Sequence, residues 1–152
     1  MMRFFVDTNI ILDYLDERPG FVDSARKLMI LGFLQEFELF MSASQATDLF
    51  YLLTNGGRAS EAESVKKSMQ HARQFVRVCS LTEADVDAAL ESTWHDFEDA
   101  CVYQCALKLK ADAIITRNQQ DFEKSSIKVF DCDELFAYLA EEKGLTYEEI
   151  PW

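Results

Sequence analysis

Turn-forming residues are scarce in this chain, with 5 glycines and 2 prolines among 152 residues. Together with 49% hydrophobic residues and 12 phenylalanines, that scarcity excludes a disordered segment and a repeat built on turn residues. Positive charge is also scarce: 15 Lys and Arg face 27 Asp and Glu, a net charge of −12. The chain therefore lacks a global electrostatic footprint for nucleic acid, and any polyanion must be met by a local basic patch or through bound cations. Cysteine occurs only at positions 79, 101, 105 and 132, without a C-x-x-C pair. Cys101 and Cys105 lie one helical turn apart, but the other two add no metal-site spacing, so reduced, buried thiols are expected. No run approaches the roughly 18 apolar residues of a membrane helix. The opening MMRFFVDTN carries an acid where a signal sequence needs a longer apolar stretch. The expectation is a cytoplasmic protein with no membrane contact.

What is present is an alternation of apolar runs and amphipathic segments. Phe4-Phe5-Val6 is continuous rather than alternating, which suits a central parallel strand covered on both faces, and it ends on Asp7. A helix follows over 10–15, then a break at Arg18-Pro19-Gly20 and a second helix over 21–35. Residues 38–41 read as a strand, with Ser42 placed to cap a helix over 43–53. Asn55-Gly56-Gly57 stops that helix, and a polar helix over 60–73 carries Lys66, Lys67 and Arg73. Residues 75–79 form a third strand with the partial alternation of an edge, and Thr82 opens a helix that ends near Ser92. Residues 127–130 alternate as another edge strand, and a last helix spans 133–142. Strands alternating with helices give an α/β fold: a three-layer α/β/α sandwich with a mostly parallel, about five-stranded sheet. One domain is expected over 1–143, followed by a tail over 144–152 with little to pack against.

The stretch from Asp96 to Phe122 organises the candidate site. Val102, Cys105, Ala106 and Leu109 recur at helical spacing, and Asp99 lies one turn earlier on the same face, at the rim of the core. Ala113-Ile114-Ile115 then reads as a buried strand ending at Thr116 and a polar loop, Arg117-Asn118-Gln119-Gln120-Asp121. Each acid has a plain structural explanation. Asp7 can cap a helix, Asp96 can be an N-cap with Asp99 three residues on, and Asp121 can start a turn. Asp48 resists that treatment, because a mid-helix Asp has poor propensity and nothing to cap. Taken together, two acid- or polar-tipped strands and two acid-bearing helices point to one carboxylate cluster. Such a cluster needs cations, and hard oxygen donors select Mg²⁺ or Mn²⁺. Metal-dependent phosphodiester hydrolysis follows from that chemistry.

Four pieces of the chain resemble the PIN domain family, of the VapC toxin ribonuclease type. They are Val6-Asp7-Thr8-Asn9-Ile10-Ile11-Leu12-Asp13; Met41-Ser42 with an acid six residues after Ser42; Asp99-Ala100 with Ala106 seven after the Asp; and Ile115-Thr116-Arg117-Asn118-Gln119-Gln120-Asp121-Phe122. The resemblance implies an endoribonuclease that cuts single-stranded RNA with Mg²⁺ or Mn²⁺, paired with a small antitoxin and forming a homodimer. Asp7 and Asp99 match the two principal metal-binding acids. Asp48 stands where the family usually has Glu, and either Asn118 or Asp121 completes the site. Asn9, Thr116 and Ser42 match supporting positions. Asp96 is an extra acid on the helix's approach, and Arg117 is the candidate phosphate contact.

Other readings fit less well. A haloacid-dehalogenase-like phosphatase needs a second Asp where this chain has Asn9. A receiver domain needs a late Lys where Arg117 is the nearest substitute. A catalytically weak PIN-like binding or scaffold module remains the alternative, because the shorter Asp48 reaches a metal less directly than Glu.

Overall fold

Alternating apolar and amphipathic segments fold as the patterning requires in the computed structural model, which describes residues 1–147. Strands β1 (Arg3–Val6), β2 (Glu38–Ser42), β3 (Val76–Cys79), β4 (Ala113–Ile115) and β5 (Lys128–Phe130) form one sheet in the order β3-β2-β1-β4-β5. Every pairing is parallel. The helices are α1 (Thr8–Leu15), α2 (Val22–Phe33), α3 (Ala43–Leu53), α4 (Ala62–Ala72), α5 (Glu83–Glu91), α6 (Phe97–Lys108) and α7 (Cys132–Lys143). Short 3-10 turns occupy Ala59–Glu61 and Gln119–Phe122.

The two-residue period of the strands divides the core. Phe4 and Val6 of β1, Leu39 and Met41 of β2, and Ala113 and Ile115 of β4 face one layer, where Ile10, Leu28, Leu49 and Leu135 meet them. Phe5, Phe40 and Ile114 face the other, against Val102, Cys105 and Ala106 of α6. α5 lies outside α6, joined through Ala89, Ala100 and Cys101. The sheet is thus covered on both faces, which accounts for the unbroken apolar run of β1. The expected edges are observed, since β3 pairs with β2 and β5 with β4.

Element ends differ from the sequence reading where a cap moves them. α1 starts at Thr8 rather than residue 10, because the Asp7 carboxylate accepts from the Thr8 N–H. α7 starts at Cys132, capped by Asp131, whose side chain accepts from the Glu134 N–H. Gly144, at φ 65°, closes α7 in a left-handed turn, and the Leu145 N–H donates to the Leu139 carbonyl at 2.9 Å. Tyr147 then returns edge-on to Phe136 at 6.4 Å, so packing continues past the last helix. Residues 148–152 of the expected tail lie outside the described residues. All four cysteines are buried and free, as expected.

β1 leads outward to β2 and β3 on one side, and β4 returns on the other. The switch in direction opens a crevice beyond the carboxyl ends of β1 and β4, where open α/β sheets place their ligands.

Candidate active site

Val6 and Ile115 are register partners, and the Asp7 N–H donates to the Ile115 carbonyl at 2.9 Å. The next residues of the two strands, Asp7 and Thr116, therefore emerge side by side. The Thr116 hydroxyl donates to Asp7 Oδ2 at 2.7 Å, and the Asn9 amide donates to the same oxygen at 3.2 Å. Asp7 Oδ1 accepts from the Thr8 N–H at 2.8 Å. Thr116 Oγ1 also accepts from the Asn118 N–H at 3.0 Å, and Asn9 Oδ1 accepts from the Arg117 N–H at 3.3 Å. Asn9 and Thr116 hold the Asp7 carboxylate and anchor the β4 loop to it, a support that needed both strand tips. Burial raises the Asp7 pKa most. The hydrogen bonds from Thr116 and Thr8 oppose that rise, while Asp121 and Asp96 add to it.

Asp7 opens onto a cleft of about 440 Å³ that also receives Asp48, Asp96, Asp99, Asn118 and Asp121. α6 supplies its acids through its first turn, where Asp96 is the N-cap and accepts from the Asp99 N–H at 2.9 Å. A helix N-terminus favours negative charge, yet desolvation and repulsion prevail here. The Asp99 carboxyl is pushed up to about 7, first by burial and then by Asp96, Asp7, Asp121 and Glu98. α3 supplies Asp48.

Glu98 was absent from the sequence-based candidates and lines the same cleft. Its carboxyl is also pushed up to about 7, by desolvation first, then by charge and hydrogen bonding from Asp48. Helical periodicity does not hide it, since Glu98 precedes Val102 by four residues and Cys105 by seven and so lies on the stripe that marks Asp99. The available signal was the crowding of acids at 96, 98 and 99 within one turn.

Two sequence expectations are revised by the geometry. Ser42 accepts from the Gln45 N–H at 3.2 Å and meets Ser44 Oγ at 2.7 Å, completing a capping box with Gln45. It is a helix cap and does not touch the acids. Arg117, expected at a phosphate, is committed to Asp13: its Nε and a terminal nitrogen donate to the two carboxylate oxygens at 2.7 and 3.0 Å. Its guanidinium also lies 4.0 Å from the centre of the Phe21 ring. A planar fork satisfied by a carboxylate on its edge and an aromatic face is not presented to the cleft.

The donor set is oxygen only, which fits a hard cation such as Mg²⁺ or Mn²⁺. The raised carboxyls of Asp7, Asp99 and Glu98 mark acids crowded together in a desolvated cleft. Among the described residues no three acids, thiols or imidazoles already converge as a closed ligand set. The acids line walls around a space, so a cation there would complete its shell with water or substrate oxygen.

The PIN domain model matches residues 3–120, which include both strand tips and every acid of the cleft except Asp121. The chain belongs to the PIN domain family. The chain is 25% identical over 138 residues to Ribonuclease VapC1 of Aquifex aeolicus, covering 87% of this PIN domain protein and 92% of the relative. Among solved structures, DNA-bound VapBC from Salmonella typhimurium matches 87% of this chain and 99% of its own, with a TM-score of 0.65 at 16% identity. FitAcB from Neisseria gonorrhoeae matches 85% and 97%, with a TM-score of 0.65 at 13% identity. VapC20 of Mycobacterium tuberculosis, a toxin that cleaves the sarcin-ricin loop, matches 73% and 86%, with a TM-score of 0.56 at 15% identity. These structural likenesses agree with the three-layer PIN fold. Among the described residues no helix is long and apolar enough to cross a membrane.

Proposed function

We propose that this PIN domain is a metal-dependent endoribonuclease of single-stranded RNA and the toxin of a toxin–antitoxin pair. The observation that carries the reading is the convergence of Asp7, Asp48, Glu98, Asp99 and Asp121 on one cleft at the sheet's switch point. Its likeness to a ribonuclease, VapC1, supports the substrate class. The VapBC complexes among its structural neighbours support a small antitoxin as partner. A homodimer and a cytoplasmic setting belong to the same proposal.

Asp7 and Asp99 are assigned as principal cation ligands, and Asp48 pairs with Glu98 in the cleft. Asn118 and Asp121 approach from the β4 loop. Mg²⁺ or Mn²⁺, when bound there, would supply the Lewis acidity and the activated water that phosphodiester hydrolysis needs. The chain's own contribution is placement. Thr116, Asn9 and the Thr8 N–H fix Asp7, and the capped first turn of α6 fixes Asp99. Asp99 and Glu98, whose carboxyls are raised, would have to release their protons to hold a cation. With one bound there, a polyanion can approach a chain whose net charge is −12.

The scaffold alternative rests on the short side chain of Asp48. Glu98 weakens it, because a second, longer carboxylate pairs with Asp48 in the cleft. Incubation of end-labelled single-stranded RNA with Mn²⁺, Mg²⁺ or EDTA decides between them. Cleavage is expected with either metal and none with EDTA; intact RNA under all three conditions would assign the chain to the scaffold class.

A further inference from the structure

Tyr51 is an exposed aromatic in a cleft half of whose lining residues are acids. The residue is 59% exposed, and Leu52 beside it is 51% exposed, although α3 buries Gln45 and Leu49 on its other side. Both line the same cleft as Asp7, Asp99 and Glu98. Tyr51 follows Asp48 by three residues and so stands one helical turn away on the same face, within about 6 Å at the Cβ atoms.

The ring is backed on one side. The two-glycine turn that ends α3 passes beside it: a Cβ added at Gly56 would lie 3.6 Å from the Tyr51 hydroxyl, and one added at Gly57 would lie 3.9 Å from the ring. Both glycines have positive φ, 89° and 91°, and the Gly56 N–H donates to the Tyr51 carbonyl at 2.9 Å. Gly57 is held in turn by its N–H bond to Thr54 Oγ1 at 3.1 Å. These distances are ordinary van der Waals spacings, so the turn lies directly alongside the ring. The Tyr51 ring is thus supported behind and open in front, beside the carboxylates.

We propose that Tyr51 is a stacking platform for a nucleobase adjoining the scissile phosphodiester, with Leu52 extending the apolar surface. This inference rests on the ribonuclease reading above and names how that site holds its substrate. Cations held by the acids would engage phosphate, but neither they nor the carboxylates present a face on which a base can stack. An aromatic ring one turn away does, and it does so for unpaired bases, whose faces are accessible. The platform therefore accounts for a preference for single strands.

The test compares wild type, Tyr51→Ala and Tyr51→Phe on a short fluorogenic single-stranded RNA in Mn²⁺. It also uses versions of that RNA carrying one abasic position on either side of the cut. Tyr51→Ala is expected to raise KM roughly 5- to 140-fold, the range of a lost base–aromatic stack, with kcat changed less than about threefold. Tyr51→Phe keeps the aromatic face and restores the wild-type KM. One abasic position should raise the wild-type KM and add no further loss to Tyr51→Ala. An unchanged KM in Tyr51→Ala, or full additivity with every abasic RNA, overturns the platform. Absence of wild-type cleavage would instead overturn the nuclease reading. Fluorescence anisotropy of the same RNAs in Ca²⁺ then decides the platform on binding alone, with equal affinities of wild type and Tyr51→Ala counting against it.

Discussion

At the scale of single residues, the cleft separates side chains that would bind a cation from those that hold them. Asp7→Asn and Asp99→Asn each remove a charge while keeping shape. Both should lose more activity than the about 10- to 100-fold that a supporting partner typically contributes, with the far-ultraviolet spectrum unchanged. Thr116→Val, which takes the 2.7 Å hydrogen bond from Asp7, should fall inside that 10- to 100-fold range. Cleavage rates on labelled RNA check the ranking, and a Thr116→Val loss exceeding that of Asp7→Asn would reverse the assigned roles. Glu98→Gln should weaken Mn²⁺ affinity more than Asp96→Asn does. Glu98 pairs with Asp48 in the cleft, whereas the Asp96 carboxylate is occupied in capping α6. Isothermal titration with Mn²⁺ reads this directly, and equal affinities would remove Glu98 from the ligand set.

Between residue and fold, the elements show what makes a structure legible from sequence. The β1 and β4 tips were legible because a continuous apolar run followed by a polar residue has one physical meaning in a covered parallel sheet. Asp99 was legible because it lies on a helix stripe. Glu98 lies on the same stripe and was open to the same reasoning, whereas the role of Arg117 was not legible, because it depends on what another element brings near. Asp13, 1% exposed, is the last residue of the first motif and reads as an ordinary helix residue until α1 is packed against the β4 loop. Arg117→Ala would leave that buried carboxylate, among the described residues, with Arg18 at 3.8 Å as its remaining ion-pair partner. A loss of about 2–4 kcal/mol is expected, below the full cost of stranding a buried ion because one partner remains, or roughly 5–15 °C in thermal midpoint. A phosphate-binding arginine would instead change the salt dependence of KM and leave the midpoint alone. Gly32 makes a similar point on α2. A Cβ there would meet Leu39 Cδ1 at 2.6 Å within the core, so Gly32→Ala should cost about 1–3 kcal/mol despite the better helix propensity of alanine. Urea denaturation measures it, and a stabilised variant would show that Leu39 yields freely.

For the whole molecule, the acidic cleft is a standing liability that pH and cations should reveal together. Asp99 and Glu98 titrate near 7 in the folded state, against ordinary values of 3.8 and 4.5. The folded chain therefore keeps protons that the unfolded chain has released. By linkage, the stability contributed by these groups is fully present below about pH 4 and is lost as pH rises through about 7. In EDTA the thermal midpoint should fall by several degrees between pH 5 and pH 8. Asp99→Asn, which cannot release a proton, should fall less and should exceed wild type at pH 8. Because cation binding requires the charged carboxylates, Mg²⁺ or Mn²⁺ should raise the wild-type midpoint more at pH 8 than at pH 5, where protons compete for the same oxygens. The background charge of −12 weakens both proteins alike as pH rises, so the difference between wild type and Asp99→Asn isolates the cleft. Parallel pH profiles for the two proteins in EDTA would mean that repulsion within the cleft is already relieved by other means, and the physical argument for a cation there would fail.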